Sequence, residues 1–349
     1  MNMDELPTVE LGTDGPQVGA QGLGCMGMSA FYGDTDEAEA RGALDAALAA
    51  GVTLFDTADQ YGHGTNESFL APFVRANRDE ITLATKYGVI RKADDPTFRD
   101  VRNDPAYIRE AVEASLRRLG VDIIDLYYMH RRDPRVPLAD SVGTMADLVT
   151  EGKVKHLGLS EVTGAELREA HTVYPIAAVQ AEWSLFSRDV EVSLVGAAAE
   201  LGVAVVPYSP LGRGFLTGSF QDAASDLDPG DVRRSWPRFT GENAKRNADL
   251  LEPVRLTAQA HGVTLGQVAL AWVHQRARTH GLTVVPIPGT RKADRVRENT
   301  AATRVVLTAA ELAALEPIAG QVVGDRYPDM CETSAAREQS HRPLSSEPR

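Results

Sequence analysis

Three stretches of this 349-residue sequence gather side chains able to move a proton. The run "FDTADQYG" sets Asp56, Asp59 and Tyr61, with His63 just beyond, after an apolar strand pattern; "ITLATK" ends in Lys86 and "DLYYMH" ends in His130. Ionisable groups at the end of an apolar run cost desolvation unless they pair or face a cleft. Taken singly, each has a plain structural explanation: an Asp caps a loop, a Tyr packs, a Lys reaches along its stem to water, a His sits satisfied in a core. Taken together they share one chemistry, proton transfer to a developing alkoxide. A phenol with an ordinary pKa near ~10 is a poor acid at neutral pH, and a neighbouring ammonium is expected to lower that value. An Asp would hold the ammonium charged, and an imidazole would polarise a carbonyl oxygen. The expected chemistry is carbonyl reduction.

Such groups need a scaffold that brings strand ends together. Strand patterns recur at 20–24, 52–57, 81–86, 122–130, 154–160, 176–180, 203–209 and 282–288, which makes eight. Helix patterns lie between them at 35–50, 65–77, 105–119, 138–150, 163–173, 189–201, 244–261 and 264–276, most opening on cap-type residues such as Asp36, Thr65, Asp104 and Thr163. Most strands are apolar on both faces, as in a parallel sheet covered by helices. The alternation predicts one α/β domain over residues 1–328, a (β/α)8 TIM barrel with an N-terminal β-hairpin turning at Asp14-Gly15 and long loops at the C-terminal face. The polar tail, 329–349, has no periodicity and is expected to be disordered.

Bulk properties exclude several partners. A net charge of −13, from 36 basic and 49 acidic residues, repels nucleic acid and anionic membrane surfaces. No apolar run is long enough to span a bilayer, and "LGVAVVPYSPL" is broken by Pro207 and Pro210. The acidic N-terminus lacks a signal-peptide core, and Cys25 and Cys331 are far apart, so a cytoplasmic protein with reduced thiols is expected. The eight histidines form no H-x-H or H-E-x-x-H pair, and no metal site is expected.

The strings "FDTADQYG", "ATKYG", "DLYYMH", "GLSEV", "VVPYSPLGRGFLTG" and "PIPGT…RVRENTAA" occur in this order over about residues 8 to 328. Together they resemble the aldo-keto reductase family, and the elements "PLGRGFLTG" and "GDRYPDM" are similar to its NADPH-dependent bacterial and plant reductases. The resemblance implies a monomer or weak homo-oligomer that transfers a hydride between NADP(H) and a small-molecule aldehyde or ketone. It also implies Tyr61 as general acid, Lys86 and Asp56 as its tuning pair, and His130 as the group that orients the carbonyl.

For the nicotinamide carboxamide, the resemblance implies Ser160 and Gln180, with Tyr208 stacking under the ring. Its usual Asn is Glu161 here, which either accepts from the carboxamide or turns away. The turn "SPLGRG" offers Ser209, Leu211, Gly212 and Gly214, whose backbone N–H groups and small residues suit a pyrophosphate. After the eighth strand, Gly289, Thr290, Arg291, Lys292, Arg295, Glu298 and Asn299 lie at a helix N-terminus suited to a 2′-phosphate. On the substrate side the candidates are Tyr32, Arg131, Trp236 and Phe239. The two last lie in the long 219–243 connection, where Trp236 either walls a pocket or packs the loop down. The rival reading is a cofactor-sensing interaction module, because channel β subunits share this fold and these four residues.

Overall fold

The apolar strand patterns close into a ring. A computed structural model describes residues 6–29, 36–92, 94–95, 98–220, 226–228 and 230–340. β1 (Thr8–Glu10) and β2 (Gln17–Gly19) pair antiparallel as the N-terminal hairpin, with Asp14 at a φ of 58° in its connection. β3 (Leu23–Gly24), β4 (Leu54–Asp56) and β5 (Thr82–Tyr87) follow, then an antiparallel arm of β6 (Val89–Arg91) and β7 (Arg99–Val101). β8 (Ile124–Met129), β9 (Val154–Ser160), β10 (Ile176–Glu182) and β11 (Ala204–Tyr208) complete a seven-stranded parallel sheet in the order β11-β10-β9-β8-β5-β4-β3.

Residues 282–289 take the eighth place. They make parallel bridges at Val205–Val284 and Gly24–Gly289 and donate from Val285 and Ile287 to the carbonyls of Val205 and Pro207. Pro286 and Pro288 have no N–H to give, so the ladder is broken there although the ring closes. A Cβ on Gly289 would stand 2.9 Å from the Gly24 carbonyl oxygen, so the seam depends on glycine.

Strand alternation sorts the side chains. Tyr127 and Met129 face the helices, whereas Leu54, Ala84, Leu126, Tyr128, Ala178, Val206 and Val285 pack inside the barrel, closed at the hairpin end by Leu11 and Val18. Counting on by two from these inward residues reaches Asp56, Lys86, His130, Gln180 and Tyr208 at the other end. Gly158 makes room inside: a Cβ there would lie 2.4 Å from the Tyr128 ring.

Most helices start at the expected caps. Asp36 and Asp104 accept from backbone N–H groups, and Thr163 and Thr264 form reciprocal boxes with Glu166 and Gln267. Thr65 is not a cap: the helix Thr65–Ala76 is preceded by Gly64 at φ 88°. The 244–261 stretch is two helices, Gly241–Asp249 and Glu252–His261, with Pro253 in the first turn of the second. The 189–201 stretch is a 3₁₀ turn, Asp189–Val192, before the helix Leu194–Leu201.

The expectation of disorder from residue 329 is corrected up to residue 340. Residues 334–340 form a helix, and Ser334 and Arg337 bond to Glu161 and Glu166 at the barrel mouth. This segment docks on charges rather than on an apolar face, so it carries no hydrophobic period.

Candidate active site

Asp56, Lys86 and Gln180 meet at the C-terminal end of the barrel, all buried. Lys86 Nζ donates to Asp56 Oδ1 at 2.5 Å and to the Thr57 carbonyl at 2.8 Å; Gln180 Nε2 donates to Asp56 Oδ2 at 2.8 Å. Burial works against the Lys86 charge, but the Asp56 carboxylate more than offsets it and holds the ammonium above the ordinary lysine range.

Tyr61 lies over this pair in the 3₁₀ turn Tyr61–Gly64, with Lys86 Nζ 5.3 Å from the centre of its ring. His130 stands edge-on to it at 5.9 Å between ring centres. The expectation that Lys86 lowers the phenol pKa is corrected in its net direction. Burial raises Tyr61 by more than Lys86 lowers it, so the phenol sits above its ordinary value and is protonated at neutral pH. Burial, followed by the charges of Arg131 and Lys86, pushes His130 well below the usual imidazole range. It is therefore neutral, with one ring N–H to give, and its Nδ1 is buried without a hydrogen-bond partner.

The loop carrying Tyr61 is bolted in place. Gly62, His63 and Gly64 all have positive φ. Asn66 accepts from Thr57 Oγ1 at 2.6 Å and donates to the Cys25 carbonyl at 2.9 Å. Beneath it, fully buried Glu67 accepts from Thr85 Oγ1 at 2.7 Å and Arg118 Nε at 2.6 Å. Asp59 joins this support: its N–H donates to the Lys86 carbonyl, and burial, then the Glu67 charge, pushes its pKa up to about 8. His63 is exposed.

Around the rest of the mouth, Ser160 ends β9 and is buried, and Tyr208 ends β11 half-buried. Ser209, Gly212, Arg213 and Gly214 all have positive φ, which curls the turn after β11; a Cβ on Gly214 would lie 2.9 Å from the Phe220 ring. Leu211 packs partly buried against the core. Beyond Gly289, Thr290 Oγ1 accepts from the Lys292 N–H at 3.1 Å, just before the helix Ala293–Ala301. Arg295 donates to Glu298, which also accepts from Thr264 Oγ1 at 2.7 Å; Arg291 is half-buried and Asn299 is buried. A separate cleft of about 560 Å³, lined by Glu10, Thr13, Gly202 and Leu282, opens by the N-terminal hairpin, away from the reacting groups.

Residues 22–319 match the Aldo/keto reductase family. The chain belongs to that family. Two solved structures similar to this aldo/keto reductase are glycerol dehydrogenase AKR11B4 from Gluconobacter oxydans and aldo-keto reductase AKR11C1 from Bacillus halodurans in its holo form. The first is 27% identical with a TM-score of 0.78, covering 93% of this chain and 98% of that one. The second is 26% identical with a TM-score of 0.72, covering 93% and 100%. The family comprises oxidoreductases that interconvert carbonyls and alcohols with a nicotinamide cofactor. No group of His, Cys, Asp and Glu among the described residues is arranged to hold a metal ion, and none of their helices is long and apolar enough to cross a membrane.

The residues present fit a nicotinamide cofactor in most respects. Ser160 and Tyr208 flank a mouth whose buried His130 Nδ1 has no hydrogen-bond partner, and the turn after β11 curls through positive φ at Ser209, Gly212, Arg213 and Gly214. Glu161 is the departure from the usual pattern. At φ 51° and fully buried, it accepts from Tyr208 Oη at 2.8 Å, Arg326 Nη1 at 3.3 Å, and Ser334 N and Oγ at 3.0 and 3.2 Å. Its own burial would raise its pKa, but Arg326 and Arg131 outweigh that and hold it near about 2. Glu161 has turned away to the C-terminal segment.

That segment also meets Tyr208, Arg213 and Trp236 at the mouth of this aldo/keto reductase. Tyr327 bonds to Tyr208 Oη at 3.1 Å and meets the Trp236 ring edge-on, while Arg213 lies over the Trp236 ring. Phe239 is not the pocket wall expected of it: at 3% exposure it sits among Phe215, Phe220 and Trp236 and holds the loop down. Arg131 is buried at the mouth, and Tyr32 lies outside the described residues. Arg326, Tyr327 and Ser334 were missed as site residues. Arg326 and Tyr327 lie in "GDRYPDM", a string noted only for its family resemblance, and Ser334 had no signal.

Proposed function

We propose that this protein reduces aldehydes or ketones to alcohols with NADPH, reversibly, with Tyr61 as the general acid. The observation that carries the reading is the buried Asp56–Lys86 pair beneath Tyr61, with neutral His130 beside it. The bound reduced nicotinamide would supply a hydride to the carbonyl carbon. Tyr61 delivers a proton to the carbonyl oxygen, and the Lys86 ammonium, held charged by Asp56, stabilises the phenolate left behind. His130 donates to the same oxygen and fixes its direction. Ser160 and Gln180 would hold the carboxamide, Tyr208 would stack on the ring, and the 209–214 turn would take the pyrophosphate. Arg291, Lys292 and Arg295 favour a 2′-phosphate, hence NADPH over NADH. The glycerol dehydrogenase among its structural relatives supports small hydroxylated or carbonyl substrates.

The test is NADPH oxidation with a reactive aldehyde, with NADH in parallel, on wild type, Tyr61→Phe and Lys86→Met. Loss of the general acid is expected to lower kcat by about 10²–10⁴-fold, with NADPH still bound in a fluorescence titration. Near-normal rates in both variants would sink the assignment. NADPH binding without turnover in wild type would favour a cofactor-sensing interaction module instead.

A further inference from the structure

Arg131 follows His130 directly and is only 8% exposed. Its Nη1 donates to the His130 carbonyl at 2.8 Å and lies 3.4 Å from Ser160 Oγ, so the guanidinium spans the ends of β8 and β9. Its Nε is buried with no partner. The acids of the mouth make their direct ion pairs with other arginines: Glu161 with Arg326, and Glu182 with Arg213, Arg238 and Arg326. No carboxylate among the described residues pairs with Arg131.

A guanidinium cannot shed its proton to escape the cost of burial, and buried arginines are ordinarily paired. Arg326, at the same mouth, has Glu161 within ion-pair distance at 3.3 Å; Arg131 feels that carboxylate only from farther off. Bonded to the His130 carbonyl and beside Ser160, it stands next to the reacting groups, and its charge works to lower the pKa of both Tyr61 and His130. The protein as a whole carries −13 and repels anions, so an anionic group drawn to this mouth needs a local cation. Such a fork holds carboxylates and phosphates alike, and of the two a carboxylate is the compact planar group that can sit on the carbon next to a reacting carbonyl.

We infer that the substrate carries a carboxylate on the carbon next to the reacting carbonyl, a 2-oxo acid, and that Arg131 is the residue that selects it. The inference rests on the carbonyl-reduction reading above. In the step, the C=O π bond opens as the carbonyl carbon receives a hydride from the reduced cofactor and the oxygen receives the Tyr61 proton. The products are a 2-hydroxy acid and oxidised cofactor.

The test compares phenylglyoxylate with its neutral methyl ester, using wild type and Arg131→Gln with NADPH. The ratio of kcat/KM for acid over ester is expected to fall at least about ten-fold in the variant, the loss of a charge-assisted pair. Arg131→Lys, which keeps the charge but loses the fork, is expected to fall between. NADPH affinity, measured by fluorescence titration, is expected to hold. An unchanged ratio, or a loss of NADPH affinity with equal losses on both substrates, would overturn the inference. The second of these results would assign Arg131 to the cofactor.

A measurement on wild type alone guards against a misfolded variant. Oxamate should inhibit reduction of a neutral aldehyde at a concentration at least about ten-fold lower than oxamide does, and equal inhibition would count against the inference. If wild type reduces a reactive aldehyde but prefers no acid, this inference fails alone. If it reduces nothing, the carbonyl-reduction reading fails with it.

Discussion

Neutralising Glu161 should release the C-terminal segment from the barrel mouth, and the structure sets the size of the effect. Its carboxyl falls from the ordinary 4.5 to about 2, held down chiefly by Arg326 and Arg131 against the opposing effect of burial. At about 1.4 kcal/mol for each tenfold change in proton affinity, that depression is linked to about 3 kcal/mol of stability. Because the folded-state value is the lower one, the contribution is complete above the unfolded value near 4.5 and is lost as the pH falls towards 2. More than half is gone by pH 3. Glu161→Gln keeps the shape and removes the charge, leaving Arg326 with only Glu182 at 3.8 Å and Asp189 at 3.6 Å. Breaking a buried pair in this way costs about 3–5 kcal/mol. Urea unfolding, followed by tryptophan fluorescence and circular dichroism from pH 7 to 3, gives the difference between wild type and variant, from which most other titrating acids cancel. That difference should shrink by about 2 kcal/mol between pH 5 and pH 3. A difference that stays constant over the range would mean that Glu161 is not held as an ion by these partners, and the reasoning would fail.

Other expectations concern the barrel and the chemistry. Gly158→Ala drives a methyl group to 2.4 Å from the Tyr128 ring and should cost about 1–3 kcal/mol; an unchanged Tm would show that the interior can yield. Because burial holds Tyr61 above the ordinary phenol value, kcat/KM for reduction should stay flat through neutral pH and fall only on the alkaline side, where Tyr61 loses its proton. A limb near pH 7 in the pH–rate profile would point to a different acid. Replacing Lys292 and Arg295 together by Gln should raise KM for NADPH by about ten-fold while moving KM for NADH little. Equal effects on both cofactors would remove the 2′-phosphate from that helix.

The site was legible in the sequence because strand alternation is rigid. Once Leu54, Ala84, Tyr128 and Ala178 are inward, Asp56, Lys86, His130 and Gln180 have no other face to occupy. Tyr61 was legible for a different reason, its place among ionisable groups in a short polar loop immediately after such a strand. Net electrostatics were not legible: the ammonium lowers Tyr61, but burial outweighs it, and depth of burial is a property of the assembled mouth. Phe239 reads as a pocket wall in a long connection until Phe215 and Phe220 are seen around it. The Glu161 network was the least legible part, since Arg326 lies 165 residues away and Ser334 sits in a stretch with no period at all. Charges that meet across such separations leave no local pattern.

The order of biosynthesis gives that network a further meaning. The ring can close once Gly289 has left the ribosome, since its seam to Gly24 is then available. The counter-charge and N–H donors for Glu161 arrive with Arg326 and Ser334, a few seconds later at about 5–20 residues per second. Burying the Glu161 carboxylate before they arrive would leave it without its counter-charge, so closure of the mouth should wait for them. The entrance should therefore mature after the ring, and a chain cut before Arg326 should be a closed barrel whose entrance has lost its inner wall.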